Sequence, residues 1–342
     1  MIPRETSWLA LLVLAACECT PPPPVAPSAE SAEGTARVAP EGTVPAPTEG
    51  TAAEGPAGSP RCAGLPGPAL RHPEPPRLVA IGDLHGDLDA TRAALRLAGA
   101  IDAQDAWTGG DLVVVQTGDV FDRGDDELEI ERLFDRLVTE ARDAGGAIHR
   151  LLGNHELMNA SGDFRYVTEG GFADYQGYGP TDDPALARAP AAWRGRIVAF
   201  RPGAPVAMEL AHRNVVEVVG DTVFVHGGLL PQHVAHGLER LNREVACWLA
   251  GGTAVPPIVA DPESPVWTRV YATDPVRCDL LQQTLAAVGA HRMVIGHTPQ
   301  AGGITSDCDG ALWRIDVGMA AAYGGPVEVL EIVAGRSPRA LR

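Results

Sequence analysis

The chain has 342 residues and a formal net charge of -17, and its basic residues are all arginine. So acidic a balance excludes a nucleic-acid-binding surface. The six cysteines contain no Cys-x-x-Cys spacing, which argues against a structural zinc site built on them.

In chain order, the first feature is an export signal. Arg4 gives a weakly charged start, opposed by Glu5, and residues 8–16 form an apolar run too short to span a bilayer. The run ends in Leu14-Ala15-Ala16-Cys17, which resembles a bacterial lipobox. That resemblance implies removal of residues 1–16 and lipid on the Cys17 thiol. The product would be an exported lipoprotein anchored in the cell envelope, on the periplasmic face of a membrane. More than one acyl chain is needed for durable anchoring. Residues 17–76 are dominated by Pro, Ala, Glu, Gly, Ser and Thr. They predict a disordered tether, because they bury too little apolar surface to offset chain entropy. The run of prolines from Pro21 to Pro24 favours extended polyproline conformation. Cys19, Cys62 and His72 fall in this stretch.

Residues 77–335 are expected to form one large domain. A strand at 78–81 leads to a helical apolar face through residue 98. A strand at 112–115, a helix near 126–144 and a strand at 148–152 follow. This alternation predicts parallel strands with right-handed crossovers. Residues 158–211 lose periodicity until a helix near 205–210, and predict an inserted lid in which Arg165, Tyr166 and Tyr175 are placed to meet substrate. A hairpin over 215–219 and 222–225 turns at Gly220-Asp221. A helix near 238–249 and strands at 293–295, 311–316 and 327–333 complete the domain. The fold class expected is α/β, a sandwich of two mixed sheets flanked by helices.

Five short motifs follow apolar strands: Gly82-Asp83-Leu84-His85-Gly86-Asp87, Gly118-Asp119-Val120-Phe121-Asp122-Arg123-Gly124, Gly153-Asn154-His155-Glu156, His226-Gly227-Gly228 and Gly296-His297-Thr298. Ligands at strand ends converge on one rim of a sheet. A phosphoester anion repels hydroxide, and two cations about 3.5–4 Å apart activate a bridging water, neutralise phosphate oxygens and align in-line attack. Asp83 and His85 are expected to chelate the first ion. Asp119 would bridge, and Asn154, His226 and His297 would complete the second site. Mixed Asp, His and Asn ligation suits Mn, Fe or Zn. His155, directly after a ligand, is assigned as general acid with Asp122 orienting it. Arg123 would hold phosphate oxygens bidentately.

These blocks resemble the calcineurin-like metallophosphoesterases, and within them the phosphoprotein phosphatases. The resemblance implies the same metal ligands at Asp83, His85, Asp119, Asn154, His226 and His297, and the same acid pair at His155 and Asp122. It implies phosphate contacts from Arg123 and Asn154, with a second arginine at Arg269 in Pro265-Val266-Trp267-Thr268-Arg269. Toward the C-terminus the chain lacks Ser-Ala-Pro-Asn-Tyr-Cys and reads Arg314-Ile315-Asp316-Val317-Gly318-Met319 and Tyr323-Gly324-Gly325. With Gly296-His297-Thr298-Pro299-Gln300, this resembles the Shewanella-like branch. The implied substrate is a phosphorylated protein or peptide, on phosphotyrosine or on phosphoserine/threonine. A small phosphoanhydride hydrolase and a non-catalytic metal-binding lipoprotein are the alternatives. Cys278 and Cys308 are the pair expected to oxidise in an exported chain. His149, His212, His233, His236 and His291 sit outside the motifs and are expected to be structural or solvated.

Overall fold

The computed structural model describes Cys62, Leu65, residues 69–179 and residues 182–342. The expected signal segment, Cys17, Cys19 and nearly all of the tether lie outside the described residues. Strands run in chain order: β1 (Arg71–His72), β2 (Arg77–Ile81), β3 (Val113–Gln116), β4 (Ala147–Arg150), β5 (Val216–Val219), β6 (Thr222–Val225), β7 (Arg292–Ile295), β8 (Thr305–Asp307), β9 (Leu312–Arg314), β10 (Val329–Val333) and β11 (Arg339–Leu341). They form two mixed sheets, ordered β1-β5-β6-β7-β9-β8 and β11-β10-β2-β3-β4. Strands β2, β3 and β4 are parallel, as are β6, β7 and β9. Each parallel set therefore delivers its C-terminal ends, and the motif residues beyond them, to one rim.

The apolar runs explain the layers. Val79, Ala80, Ile81, Val114, Val115 and Val223 to Val225 are all essentially without exposure. Continuous apolar runs suit strands covered on both faces. The helix Glu127–Asp143 buries Ile130, Phe134, Leu137 and Ala141, a spacing of four, three and four that makes one stripe. It packs against β4. Burying side chains of this size contributes about 1.5–3 kcal/mol each. The 215–225 hairpin turns where expected, with Gly220 at φ 59°, a backbone that glycine adopts without steric cost.

Two boundaries differ from the sequence reading. The domain begins before residue 77: Leu70 is buried and β1 pairs in parallel with β5. It also runs past 335, because β11 pairs with β10. Strands of two or three residues carry too little pattern to be read from sequence. Cys62 is not a free tether residue but is disulfide-bonded to Cys247 in the helix Leu238–Leu249 (Cα–Cα 5.1 Å). Cys278 and Cys308 are joined as expected (Cα–Cα 5.4 Å). Residues 158–211, expected as an inserted lid, pack onto the domain. They fold into short helices, including Arg194–Phe200 and Pro205–Leu210, whose Ala199, Phe200, Val206 and Leu210 belong to the core. Among the described residues no helix is long and apolar enough to cross a membrane.

A buried charge cluster fixes the helix Glu127–Asp143 to the sheet. Glu131 accepts from Arg150 at the end of β4 and from Arg213. Burial alone would raise the Glu131 carboxyl, but Arg150 and Arg213 outweigh it and hold it down to about 2. A carboxyl depressed in the folded state stabilises above its unfolded value near 4.5, and that contribution is lost as pH falls toward 2. Urea denaturation across this window should show stability falling steeply in the wild type and more shallowly in Glu131→Gln, which starts lower because two arginines lose their partner.

Candidate metal centre

The two rims meet at backbone contact. Gly296 N–H donates to His226 O (2.8 Å), joining the ends of β7 and β6. His226 Nδ1 lies 3.0 Å from Thr117 O, and His297 N–H donates to Asp83 Oδ2 (3.1 Å), so both bonds cross between sheets. At Gly82 an added Cβ would fall 2.5 Å from Ile315 O, so the approach of the sheets requires glycine there. Among the described residues, five of the eight non-glycine residues with positive φ are His85, Asp119, Asp122, Arg123 and His297. Backbone held in this sparsely populated region is costly and gathers at functional sites.

Asp119 is the centre. Its Oδ2 lies 3.1 Å from His226 Nε2, 3.8 Å from His85 Nε2 and 3.8 Å from His155 Nε2. Two clusters of donor atoms share it: His85, Asp119 and His155, and Asp119, His226 and His297. Asp83 Oδ2 is 3.9 Å from His85 Nε2, and Asn154 Oδ1 is 2.9 Å from His226 Nε2. The six residues expected as ligands are thus brought together, with Asp119 in the shared position. His155 joins the first cluster as well, which the sequence reading did not foresee.

The donor set fits divalent ions. Each of three imidazoles spends one nitrogen on a backbone carbonyl: His85 Nδ1 on Phe121 O (3.1 Å), His226 Nδ1 on Thr117 O (3.0 Å) and His297 Nε2 on Trp267 O (3.1 Å). A carbonyl accepts only, so those nitrogens carry the proton, and in the neutral rings the other nitrogen keeps its lone pair. Burial would lower His226 too, but its Nε2 faces Asn154 Oδ1 and Asp119 Oδ2, and it is instead raised by Asp119. Burial pushes His85 down to about 4 and His297 down to about 3, so both rings are neutral. Burial, then the neighbouring Asp316 and Asp119 carboxylates, drives Asp83 well above the usual range, and burial raises Asp316 to about 6. Crowded carboxylates beside neutral imidazoles are what a bound cation relieves.

His155 turns Nε2 toward Asp119 and its other nitrogen toward Asp122. Its Nδ1 lies 2.5 Å from Asp122 Oδ2. Asp122 Oδ1 accepts from Asn159 Nδ2 (3.0 Å) and from Arg196 (3.2 Å). Arg196 is fully buried and also binds Glu127, Asn159 and the Gly171 carbonyl. The 158–211 segment therefore supplies the cation that sets the His155–Asp122 pair. Arg123 lies between two rings, its guanidinium 4.3 Å from the Tyr166 centroid and 5.1 Å from that of Tyr323, and its buried Nε has no hydrogen-bond partner. Arg269 reaches His297 O (3.0 Å) and Thr298 Oγ1 (2.6 Å). These groups line a cavity of about 240 Å³ with His85, Asp119, Asn154, His155, Trp267 and His297. Of the three segment residues expected near substrate, Tyr166 lines the cavity. Arg165 is exposed and paired with Asp163, and Tyr175 is fully buried.

Four residues escaped the sequence reading. Glu156 closes its own motif, and its carboxylate accepts N–H from Asp119 (2.9 Å), Val120 (2.8 Å) and Gly153 (2.7 Å). Asp316 follows β9 as the other acids follow their strands, and that rule would have found it. Tyr323 stood in a quoted block without a role. Arg196 carried no signal, since only the fold brings it to Asp122.

A model of the calcineurin-like phosphoesterase family matches residues 76–301. Shewanella-like protein phosphatase 2 of Arabidopsis thaliana is 43% identical over 298 residues, covering 77% of this chain and 76% of that protein. Shewanella-like protein phosphatase 1 of Plasmodium berghei is 27% identical over 265 residues, covering 73% and 69%. Among solved structures, the cold-active protein-tyrosine phosphatase of a psychrophilic Shewanella species superposes with a TM-score of 0.65 at 25% identity, covering 80% of this chain and 82% of that one.

Replacing Arg196 by Met strands Asp122 and Glu127 as buried charges, a change that costs about 3–5 kcal/mol. Chemical denaturation of Arg196→Met should show that loss, with turnover reduced even where the variant is fully folded.

Proposed function

Because the chain belongs to the calcineurin-like phosphoesterase family, and is thus a metallophosphoesterase, we propose that it removes phosphate from phosphoproteins with two divalent ions, Mn, Fe or Zn, held across Asp119. The observation that carries this reading is the Asp119 carboxylate shared by two donor clusters. Asp83 and His85 would hold one ion, Asn154, His226 and His297 the other. When bound, the ions supply a water activated near neutral pH and neutralise phosphate oxygens.

The chain's own residues do the rest. Arg123, with an unpartnered Nε beside the cavity, presents a guanidinium to phosphate oxygens. Arg269 lies on the wall of the same cavity and adds a second positive charge. Asn154 offers its amide to the phosphate edge. His155, oriented by Asp122, donates a proton to the departing oxygen. Tyr166, Trp267 and Tyr323 make the rim aromatic, which suits an aryl leaving group, so phosphotyrosine is the preferred ester. Similarity to the protein phosphatases described above supports a phosphoprotein substrate.

Paired phosphotyrosine and phosphoserine peptides, assayed with added Mn, should both lose turnover on chelation, with phosphotyrosine the faster. Asp119→Asn should bring turnover to background with the fold intact by circular dichroism. Full activity in that variant, or hydrolysis of dinucleoside polyphosphates in place of both peptides, would sink the reading.

For localisation we infer export and anchoring through a lipid on Cys17. Support comes from the lipobox-like Leu14-Ala15-Ala16-Cys17 and from two disulfides in the domain, since such bonds persist in oxidising compartments. Cys17→Ala should move the protein from the membrane to the soluble fraction. Unchanged membrane association in that variant would remove the anchor from the reading.

A further inference from the structure

A third group of metal-ligating side chains lies apart from the catalytic cavity, in which none of its members takes part. His72 stands on β1, the edge strand of the six-stranded sheet, and Glu217 on the neighbouring β5. His149 stands on β4, the edge strand of the other sheet. Their ligand atoms all lie within 4.8 Å of one another.

The chemistry of the cluster is incomplete as it stands. The Glu217 side chain is 3% exposed. Its Oε1 accepts from Asn214 Nδ2 (3.1 Å), and the same amide reaches the Ala69 carbonyl (3.2 Å). Oε2 has His149 Nδ1 at 2.8 Å and His72 Nε2 at 3.3 Å, yet it makes no hydrogen bond of acceptable angle. The buried His72 Nε2 is likewise unpartnered. Both contacts are ion-pair spacings, and pairing with Glu217 raises the His72 imidazole. Yet neither Glu217 Oε2 nor His72 Nε2 completes a well-aimed hydrogen bond, which is costly for buried groups. Around zinc, bonds of about 2.0–2.2 Å place tetrahedral ligand atoms about 3.4 Å apart; the His72–Glu217 spacing of 3.3 Å matches this, and the 2.8 Å His149–Glu217 contact would have to open slightly. Two imidazole nitrogens and one carboxylate oxygen suit zinc better than calcium or magnesium.

We propose that His72, His149 and Glu217 bind zinc, and that this ion clamps the first strand of the domain across its two sheets. The test uses the full chain and its His72→Ala and His149→Ala variants, equilibrated with zinc and dialysed. Elemental analysis should find one zinc fewer per chain in each variant. Added zinc should raise the melting temperature of the wild type more than that of either variant, with turnover unchanged. Equal zinc content and equal melting shifts in all three proteins overturn the proposal. If His149→Ala does not fold, His72→Ala, altered at an edge strand, carries the same comparison.

Discussion

The Glu156 carboxylate, bound to the backbone N–H groups of Asp119, Val120 and Gly153, holds the site in register. It ties the loop after β3 to the turn after β4 in one side chain. Asp119 is kept at φ 59°, a conformation it would leave if the loop were free. The same turn is packed so closely that a Cβ on Gly153 would fall 2.2 Å from Asp119 Oδ1. Asp119 Oδ1 in turn accepts the His155 N–H (2.9 Å). The shared carboxylate is thus held by a backbone N–H at Oδ1 and by the Glu156 side chain behind its loop, and its Oδ2 faces the histidines that surround it.

Electrostatics then divides the cavity into layers. Asp83, Asp119, Asp316 and Glu156 are all buried near the floor, a concentration of negative charge that requires cations. Arg123 and Arg269 stand at the wall of the same cavity. Behind His155, Arg196 compensates Asp122 and Glu127 inside the core. The positive groups thus occupy separate places: Arg123 and Arg269 line the cavity, and Arg196 lies behind His155 against Asp122.

The site was legible because its residues are local signals repeated at strand ends. Asp83, Asp119, Asn154, His226 and His297 each follow an apolar run, and parallel pairing converts that sequence rule into a shared rim. The two mixed sheets were legible for the same reason, with β2, β3, β6 and β7 found within a residue or two. What escaped depends on distant partners. β1 is two residues long and exists because β5 lies beside it. Arg196 sits in a segment of poor periodicity and acquires its role from Asp122, far away in the chain. His149 was expected to be structural or solvated because it lies outside the motifs, and nothing local announces that β1 brings His72 near it. Cys62 looked like part of the tether because its partner, Cys247, belongs to a helix on the far side of the sequence.

That Cys62–Cys247 bond has a mechanical consequence. A pull applied anywhere N-terminal to Cys62 reaches the domain through a covalent link to the helix Leu238–Leu249. Buried Leu241, Val245 and Leu249 seat that helix in the core. The two-residue β1, whose parallel pairing with β5 would peel under small loads, lies on the slack side of the bond. Tension from a membrane anchor would therefore be borne by core packing, and the strand that completes the His72 cluster would be shielded from it.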